Sequence, residues 1–148
     1  MQLYSNNVRV IDSMPIPVCE FGRAHFSKCF KGEASYGICA SKKETYFGFK
    51  FHALTTVDGF LTDYVITPAN IDDRNAVWDL CDKYRSISII GDKGYINKRL
   101  TPELKNERYI DLLFLKIENS RDNYPKEVRQ LIFKVRRRIE TSFSQLTE

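Results

Sequence analysis

The chain of 148 residues carries 23 Lys or Arg and 19 Asp or Glu, giving a net charge of +4, and 43% of its residues are hydrophobic. This length and composition predict one domain over residues 1–148 with a single core. The sequence contains no apolar run long enough to span a bilayer, and its first residues lack a secretory pattern. A cytoplasmic protein is therefore the default expectation.

The N-terminal part of the chain predicts one central strand followed by irregular structure. The apolar residues within Asn7–Asp12 are typical of a buried strand. Pro15 and Pro17 predict an irregular exit from this strand, because proline fixes φ and has no backbone N–H to donate. The stretch Phe21–Ser41 shows no clean period, and we interpret it as a loop or insertion over the sheet.

A hairpin of two strands is predicted next. Thr45–Thr56 alternates between two faces with strand periodicity, and three Phe share one of these faces. Asp58 and Gly59 favour a tight turn, after which Phe60–Thr67 returns as the second strand.

The second half of the chain predicts alternating helices and strands. Asn70 or Asp72 can cap a helix that runs to about Tyr84. Together with the first half, this order predicts an α/β fold with a mixed five-stranded sheet flanked by helices. The remaining predicted elements are a strand over Ser86–Gly91, a helix over Pro102–Glu107, a strand over Asp111–Lys116 and a long helix from about Pro125 to Leu146.

Three acidic residues stand in settings that a surface carboxylate rarely has. Asp12 and Asp92 each end an apolar run, and Glu140 lies within the long basic helix. Mg²⁺ prefers a few carboxylate ligands and leaves its other positions to water and phosphate. Two such ions can clamp the attacking and leaving oxygens of a phosphodiester, so these residues predict a metal-dependent, nuclease-like centre.

Each of these carboxylates also has a purely structural interpretation. Asp12 could cap the turn that follows it, and Asp92 could accept backbone N–H bonds in a glycine-flanked turn. Glu140 could pair with a neighbouring arginine on the helix surface.

Positive charge is concentrated in Lys126–Arg138, which contains six Lys or Arg and one Glu and so carries +5. Basic side chains that neutralise phosphates release counterions, and they make binding sensitive to salt. A solvated helix face is the alternative interpretation. The residues that we expect to contact DNA are Lys93, Lys134, Arg136, Arg137 and Arg138.

Five segments carry a family resemblance. IDSMPIPV (Ile11–Val18), GDKGY (Gly91–Tyr95) and RRRIETSFSQL (Arg136–Leu146) resemble the three catalytic motifs of DDE transposases from bacterial insertion sequences. The linking segments SKKETYFGFKFHAL (Ser41–Leu54) and ITPANIDDR (Ile66–Arg74) are similar to the same proteins. The insertion sequence 982 family is the nearest match by these motifs.

The resemblance implies an RNase H-like fold in which the strands that end at Asp12 and Asp92 are parallel neighbours. It implies that Asp12, Asp92 and Glu140 form a catalytic triad holding two Mg²⁺ or Mn²⁺ ions. The implied activity is cleavage and transfer of double-stranded DNA at transposon ends and targets, by a homo-oligomer assembled on DNA. The chain departs from a related signature at Phe133 and Thr147, which stand where that signature has Tyr and Lys.

Two other functions remain open. The chain begins at the first catalytic strand and ends eight residues after Glu140, so we expect a domain incomplete at both termini. A truncated, inactive relic that binds DNA or a full-length partner is therefore the alternative. An RNase H-like nuclease that does not transpose would share the same metal centre.

Two further residues can be interpreted from their positions. Tyr95, like Lys93, follows Asp92 closely and is expected to be a phosphate neighbour. His52 is expected to be a hydrogen-bonded strand residue rather than a contact to DNA or metal.

Overall fold

The computed structural model describes residues 7–39, 42–92, 95, 98–114 and 126–147, without the side chains of 114, 127–129, 131–132 and 135–136. These residues form one mixed sheet with helices on both faces. The strands are β1 (Val8–Cys19), β2 (Ser35–Cys39), β3 (Glu44–Thr56), β4 (Leu61–Pro68), β5 (Ser88–Gly91) and β6 (Asp111–Phe114). The helices are α1 (Asp73–Cys81), α2 (Leu100–Arg108) and α3 (Lys126–Thr147), and a single 3-10 turn covers Phe21–Arg23.

The sheet is built around β1. This strand pairs antiparallel with β3 and parallel with β5, and β5 pairs parallel with β6. The other edge of β3 is shared, because β2 pairs with its first residues and β4 with the rest. The order is therefore β2 or β4, then β3, β1, β5 and β6. This α/β topology fits the expected RNase H-like fold, and the expected parallel pairing of β1 and β5 is confirmed.

The predicted irregular exit at Pro15 and Pro17 is wrong, because β1 continues through both prolines. The Asn7 carbonyl accepts a hydrogen bond from the Ser88 N–H at 2.7 Å, so the odd-numbered residues of β1 direct their backbone groups toward β5. β5 pairs with β1 over Val8–Val10, so the proline nitrogens face an edge where no described strand pairs. Proline is tolerated at such an edge.

The interpretation of Phe21–Ser41 as a loop is wrong for its last part. Ser35–Cys39 forms β2 and pairs with Glu44–Gly48, which adds a sixth strand to the predicted five. The inward residues of β2 are Ser, Gly and Cys, whereas Tyr36 and Ile38 are exposed. The strand therefore lacks the apolar alternation by which a half-buried strand is identified.

The two faces of the sheet bury different side chains, because successive strand residues point to opposite faces. On one face, Ile11 packs with Leu54 and Ile89 in the core that α1 and α2 cover. On the other face, Val10 packs against Ile139 of α3. Consequently, α3 lies on the side of the sheet opposite α1 and α2.

α1 begins at the predicted cap. The Asp72 carboxylate accepts a hydrogen bond from the Arg74 N–H at 2.9 Å. It also accepts one from the Arg74 guanidinium, which lowers the pKa of Asp72 to about 2. The helix ends at Cys81 rather than near Tyr84. The residues predicted for its inner face are buried: Ala76, Val77, Leu80 and Cys81.

Among the described helices, none combines the length and the apolar character needed to cross a membrane.

Candidate active site

Asp12 lies in β1, and Asp92 directly follows the parallel neighbour β5. The pairing matches Val8–Val10 with Ser88–Ile90, residue by residue. Continued for two residues, this register sets Asp12 beside Asp92, just beyond the end of β5. The pairing therefore brings the two residues toward the same edge of the sheet although 80 residues separate them in the sequence.

The electrostatics agree with this proximity. Burial is the main cause that raises the pKa of the Tyr95 hydroxyl, and the nearby charges of Asp73, Asp12 and Asp92 raise it further. The carboxylates of Asp12 and Asp92 thus both act electrostatically on the Tyr95 hydroxyl.

Asp12 points to the face of the sheet on which α3 packs, and the alternation of β5, continued past its end, assigns Asp92 to the same face. Val10 and Ile90, each two residues earlier, belong to the cluster around Ile139. Since a strand returns to the same face every second residue, Asp12 and the continuation of β5 point to this side. Asp12 is half-buried and Asp92 is exposed, so a substrate can reach this edge.

Glu140 follows the residue that fastens α3 to the sheet. Ile139 is 2% exposed and packs on Val10, whereas Glu140 is exposed. The turn between β3 and β4 also holds the helix, on both sides of Ile139 in the sequence. There Arg138 donates to Asp58 Oδ1 at 3.2 Å, and the Ser142 hydroxyl donates to the Gly59 carbonyl at 3.2 Å.

The donor set at this face suits a hard divalent cation, because it consists of carboxylate oxygens. Asp12 Oδ1 accepts a hydrogen bond from the Ser13 N–H at 2.8 Å, which orients the carboxylate. In the described part of the chain, however, no three His, Cys, Asp or Glu side chains are gathered as a group that could hold a metal ion. The structure thus brings Asp12 and Asp92 to neighbouring strands and places Glu140 on the helix that covers them.

A concave surface runs along α3, and it includes Glu140. Lys134, Arg137 and Arg138 contribute three positive charges to it. Arg138 is also occupied by Asp58, whereas no described residue hydrogen-bonds to the guanidinium of Arg137. This surface can bind a polyanion beside a carboxylate. Its full lining is Gln130, Phe133, Lys134, Arg137, Arg138, Glu140 and Thr141.

Two of the expected DNA contacts lie outside the described residues, namely Lys93 and the side chain of Arg136. The expectation that Tyr95 is a phosphate neighbour is wrong, because Tyr95 is 2% exposed and packs in the core. Its hydroxyl lies 3.0 Å from His52 Nδ1. The prediction that His52 is a hydrogen-bonded strand residue is confirmed.

The sequence did not reveal a polar network built around the buried Tyr95 and His52, which also includes Thr67 and the half-buried Ser13. His52 Nε2 lies 3.1 Å from Thr67 Oγ1, His52 Nδ1 lies 3.0 Å from the Tyr95 hydroxyl, and the Ser13 side chain opposes the rise in the pKa of Tyr95. One signal for part of it existed, since His52 shares its strand face with the apolar Leu54. No local pattern indicates that Tyr95 reaches the same place.

Comparison with known proteins assigns the chain to a family. The family model described as transposase DDE domain matches residues 4–148. No curated protein and no solved structure matches the chain. The matched region includes both strand ends and α3. The chain therefore belongs to the transposase DDE domain family.

Proposed function

We propose that this chain is the catalytic core of an insertion-sequence transposase, which cleaves and transfers DNA strands with divalent metal ions. The observation that carries the proposal is the parallel pairing of β1 with β5, whose register, continued by two residues, matches Asp12 with Asp92 on the sheet face where the helix of Glu140 packs. The insertion sequence 982 family is the subgroup that its motifs favour. The expected setting is the cytoplasm, with a homo-oligomer assembled on double-stranded DNA.

In this proposal, Asp12, Asp92 and Glu140 are the catalytic residues and hold two Mg²⁺ or Mn²⁺ ions. When bound, these ions would activate the attacking oxygen and stabilise charge on the phosphoryl group. The half-buried position of Asp12 and its bond from the Ser13 N–H keep one ligand fixed. Glu140 is positioned by Ile139, because the buried isoleucine fixes the height of α3 above β1.

The chemistry assigned to the site is two successive phosphoryl transfers. A water molecule attacks the phosphodiester at the transposon end and displaces a 3′-hydroxyl. That hydroxyl then attacks a phosphodiester of the target, so that one P–O bond forms as another breaks in each step. No covalent bond between enzyme and DNA is required.

The DNA contacts are assigned to the concave surface of α3. Lys134 and Arg137 are exposed there beside Glu140, at one helical turn from each other, so both can meet the same backbone. Arg136 and Lys93 are proposed as additional contacts on the basis of the sequence alone.

The test is nicking of supercoiled plasmid DNA with Mg²⁺ or Mn²⁺, beside DNA affinity measured over a salt series. We expect the parent to cut, and Asp92→Asn and Glu140→Gln to abolish cutting. Glu140→Gln removes a negative charge, so it should bind DNA as tightly as the parent or more tightly. Asp79→Asn is the matched control, since Asp79 is exposed on α1 on the opposite face of the sheet.

The possible outcomes separate the candidate functions. If Glu140→Gln cuts as well as the parent, Glu140 is a structural residue and the triad is wrong. If neither the parent nor any variant cuts while salt-dependent binding persists, the chain is an inactive relic that binds DNA. Cutting without joining of transposon ends to target DNA would favour a nuclease.

A further inference from the structure

The buried network lies under the candidate active site, on the opposite face of the sheet from α3. His52 is 0% exposed and Tyr95 is 2% exposed. Ser13 pairs with His52 across β1 and β3, so these two members of the network are also backbone neighbours. Its hydrogen bonds therefore link β3 and β4 to the segment that follows β5, and the pairing of Ser13 with His52 connects them to β1.

The two hydrogen bonds of His52 can be satisfied by a neutral imidazole. If Tyr95 donates to His52 Nδ1, the Nε2–H of His52 donates to Thr67 Oγ1. Burial lowers the pKa of His52 and keeps the imidazole neutral, as this arrangement requires.

A phenylalanine at position 95 would fill nearly the same volume without needing a polar partner. Buried polar groups are costly unless each is hydrogen-bonded, so such a network contributes definite orientation rather than packing. Two hydrogen bonds of the backbone N–H groups of Ser13 and Tyr95 indicate which residues the network orients. The Ser13 N–H donates to Asp12 Oδ1 at 2.8 Å, and the Tyr95 N–H donates to the Asp92 carbonyl at 3.0 Å.

The Asp12 carboxylate and the Asp92 backbone are thus each hydrogen-bonded to a residue of the network. Tyr95 is in turn hydrogen-bonded to His52, which pairs with Ser13 across β1 and β3. Loss of the Tyr95 hydroxyl would remove this link between the segment after Asp92 and the strands that carry Ser13 and His52. The packing of the aromatic ring would remain.

We propose that the buried network is a positioning device that sets the separation of the Asp12 and Asp92 carboxylates, so that Tyr95 and His52 control divalent-ion affinity without touching the ion. This inference rests on the proposed function. Tyr95 and His52 are positioning residues in it and not catalytic residues.

The first test is calorimetric titration of the full chain with MnCl₂ alone. Tyr95→Phe should weaken the affinity for Mn²⁺ by about tenfold, the scale seen when residues that support metal ligands are altered. Affinity for DNA without metal should stay within about twofold of the parent value, because α3 is not involved. Tyr46→Phe is the matched control, since Tyr46 is a buried tyrosine of β3 at 7% exposure and belongs to a different part of the strand.

Ser13→Ala provides a second variant should Tyr95→Phe fold poorly. Ser13 is only half-buried, and the substitution keeps the backbone N–H that binds Asp12 while removing the hydroxyl that opposes the rise in the pKa of Tyr95. It should weaken Mn²⁺ binding in the same direction.

The second test is spectroscopic. The chain has two histidines, so the imidazole ¹⁵N resonances of His52 can be assigned against His25. Adding Mg²⁺ should shift the Nδ1 resonance of His52 in the parent and leave it in place in Tyr95→Phe. His25 is exposed and is the internal control.

The outcomes keep this inference separate from the proposed function. Metal binding that depends on Asp12 but is unchanged in both Tyr95→Phe and Ser13→Ala overturns the positioning role alone. Equal losses in Tyr95→Phe and Tyr46→Phe also overturn it, because they would reflect a loosened core. A parent that binds no Mn²⁺ through Asp12 overturns the proposed function and this inference together.

Discussion

Ile11 occupies the space that a side chain on Gly91 would need. A Cβ at position 91 would lie 2.6 Å from Ile11 Cγ2, closer than two carbon atoms can approach without a shift. Ile11 is itself 1% exposed within the core, so it has little room to move. The absence of a side chain at residue 91 therefore allows β1, which carries Asp12, to pack closely against β5, which leads to Asp92.

We expect Gly91→Ala to destabilise the fold by about 1–3 kcal/mol, the usual cost of an added methyl group in a packed core. It should also reduce any metal-dependent activity, because β1 and β5 must separate. Urea unfolding gives the free energy. Gly22→Ala is the control, since nothing lies within 4 Å of its added Cβ. Equal stability of the two variants would contradict the close packing of Ile11 on Gly91.

Ile139→Ala should remove the main anchor of α3. The side chain is 2% exposed against Val10, and such truncations cost about 2–5 kcal/mol. Leu146→Ala on the same helix should change stability by less than about 0.5 kcal/mol, because Leu146 is 56% exposed. Thermal and urea unfolding of both variants checks the difference. Similar losses would mean that the C-terminal part of α3 packs on the sheet as firmly as Ile139.

Arg137 and Arg138 should differ in their effect on DNA binding. Arg138 is engaged with Asp58, whereas Arg137 lies exposed on the concave surface of α3. Arg137→Ala should therefore lower DNA affinity and reduce the slope of log affinity against log salt by about one. Arg138→Ala should change the slope less and lower stability more. Affinity over a salt series, together with unfolding, measures both. A steeper dependence in Arg137→Ala would exclude it as a phosphate contact.

Stability should fall as the pH drops below about 6.5, the ordinary pKa of histidine. Burial lowers the pKa of His52 in the folded chain, while Asp73 and Lys50 act on it in opposite directions. Below pH 6.5, His52 is protonated in the unfolded chain but stays neutral in the folded chain. Unfolding therefore becomes more favourable as the pH falls, until the pH reaches the lowered pKa of folded His52. The slope from one proton is at most about 1.4 kcal/mol per pH unit.

Unfolding experiments between pH 7.5 and 5.5 test this dependence. His52→Gln should flatten the loss of stability relative to the parent, whatever its effect on stability at pH 7.5. His25→Gln should keep the parent's pH dependence, since His25 is exposed. If His52→Gln shows the same slope as the parent, another group is responsible.

Local sequence patterns determined most of the elements. The alternation in β3, the Asp58–Gly59 turn and the Asp72 cap predicted structures that the protein has, because each depends on residues close together in the chain. The same local rules misjudged β1. Whether Pro15 and Pro17 end a strand depends on which edge their nitrogens face, and only the position of β5 decides that.

The candidate site, too, could be predicted only in part from the sequence. The types and settings of Asp12, Asp92 and Glu140 could be recognised in the sequence, and the family motifs ordered them. Only the tertiary structure set the register of β1 on β5, which leads toward Asp12 and Asp92, because register depends on pairing between strands that are remote in sequence. The tertiary structure alone also placed the Tyr95 side chain in the core beside His52. The position of a buried hydroxyl depends on the group that hydrogen-bonds to it, and not on its neighbours in the chain.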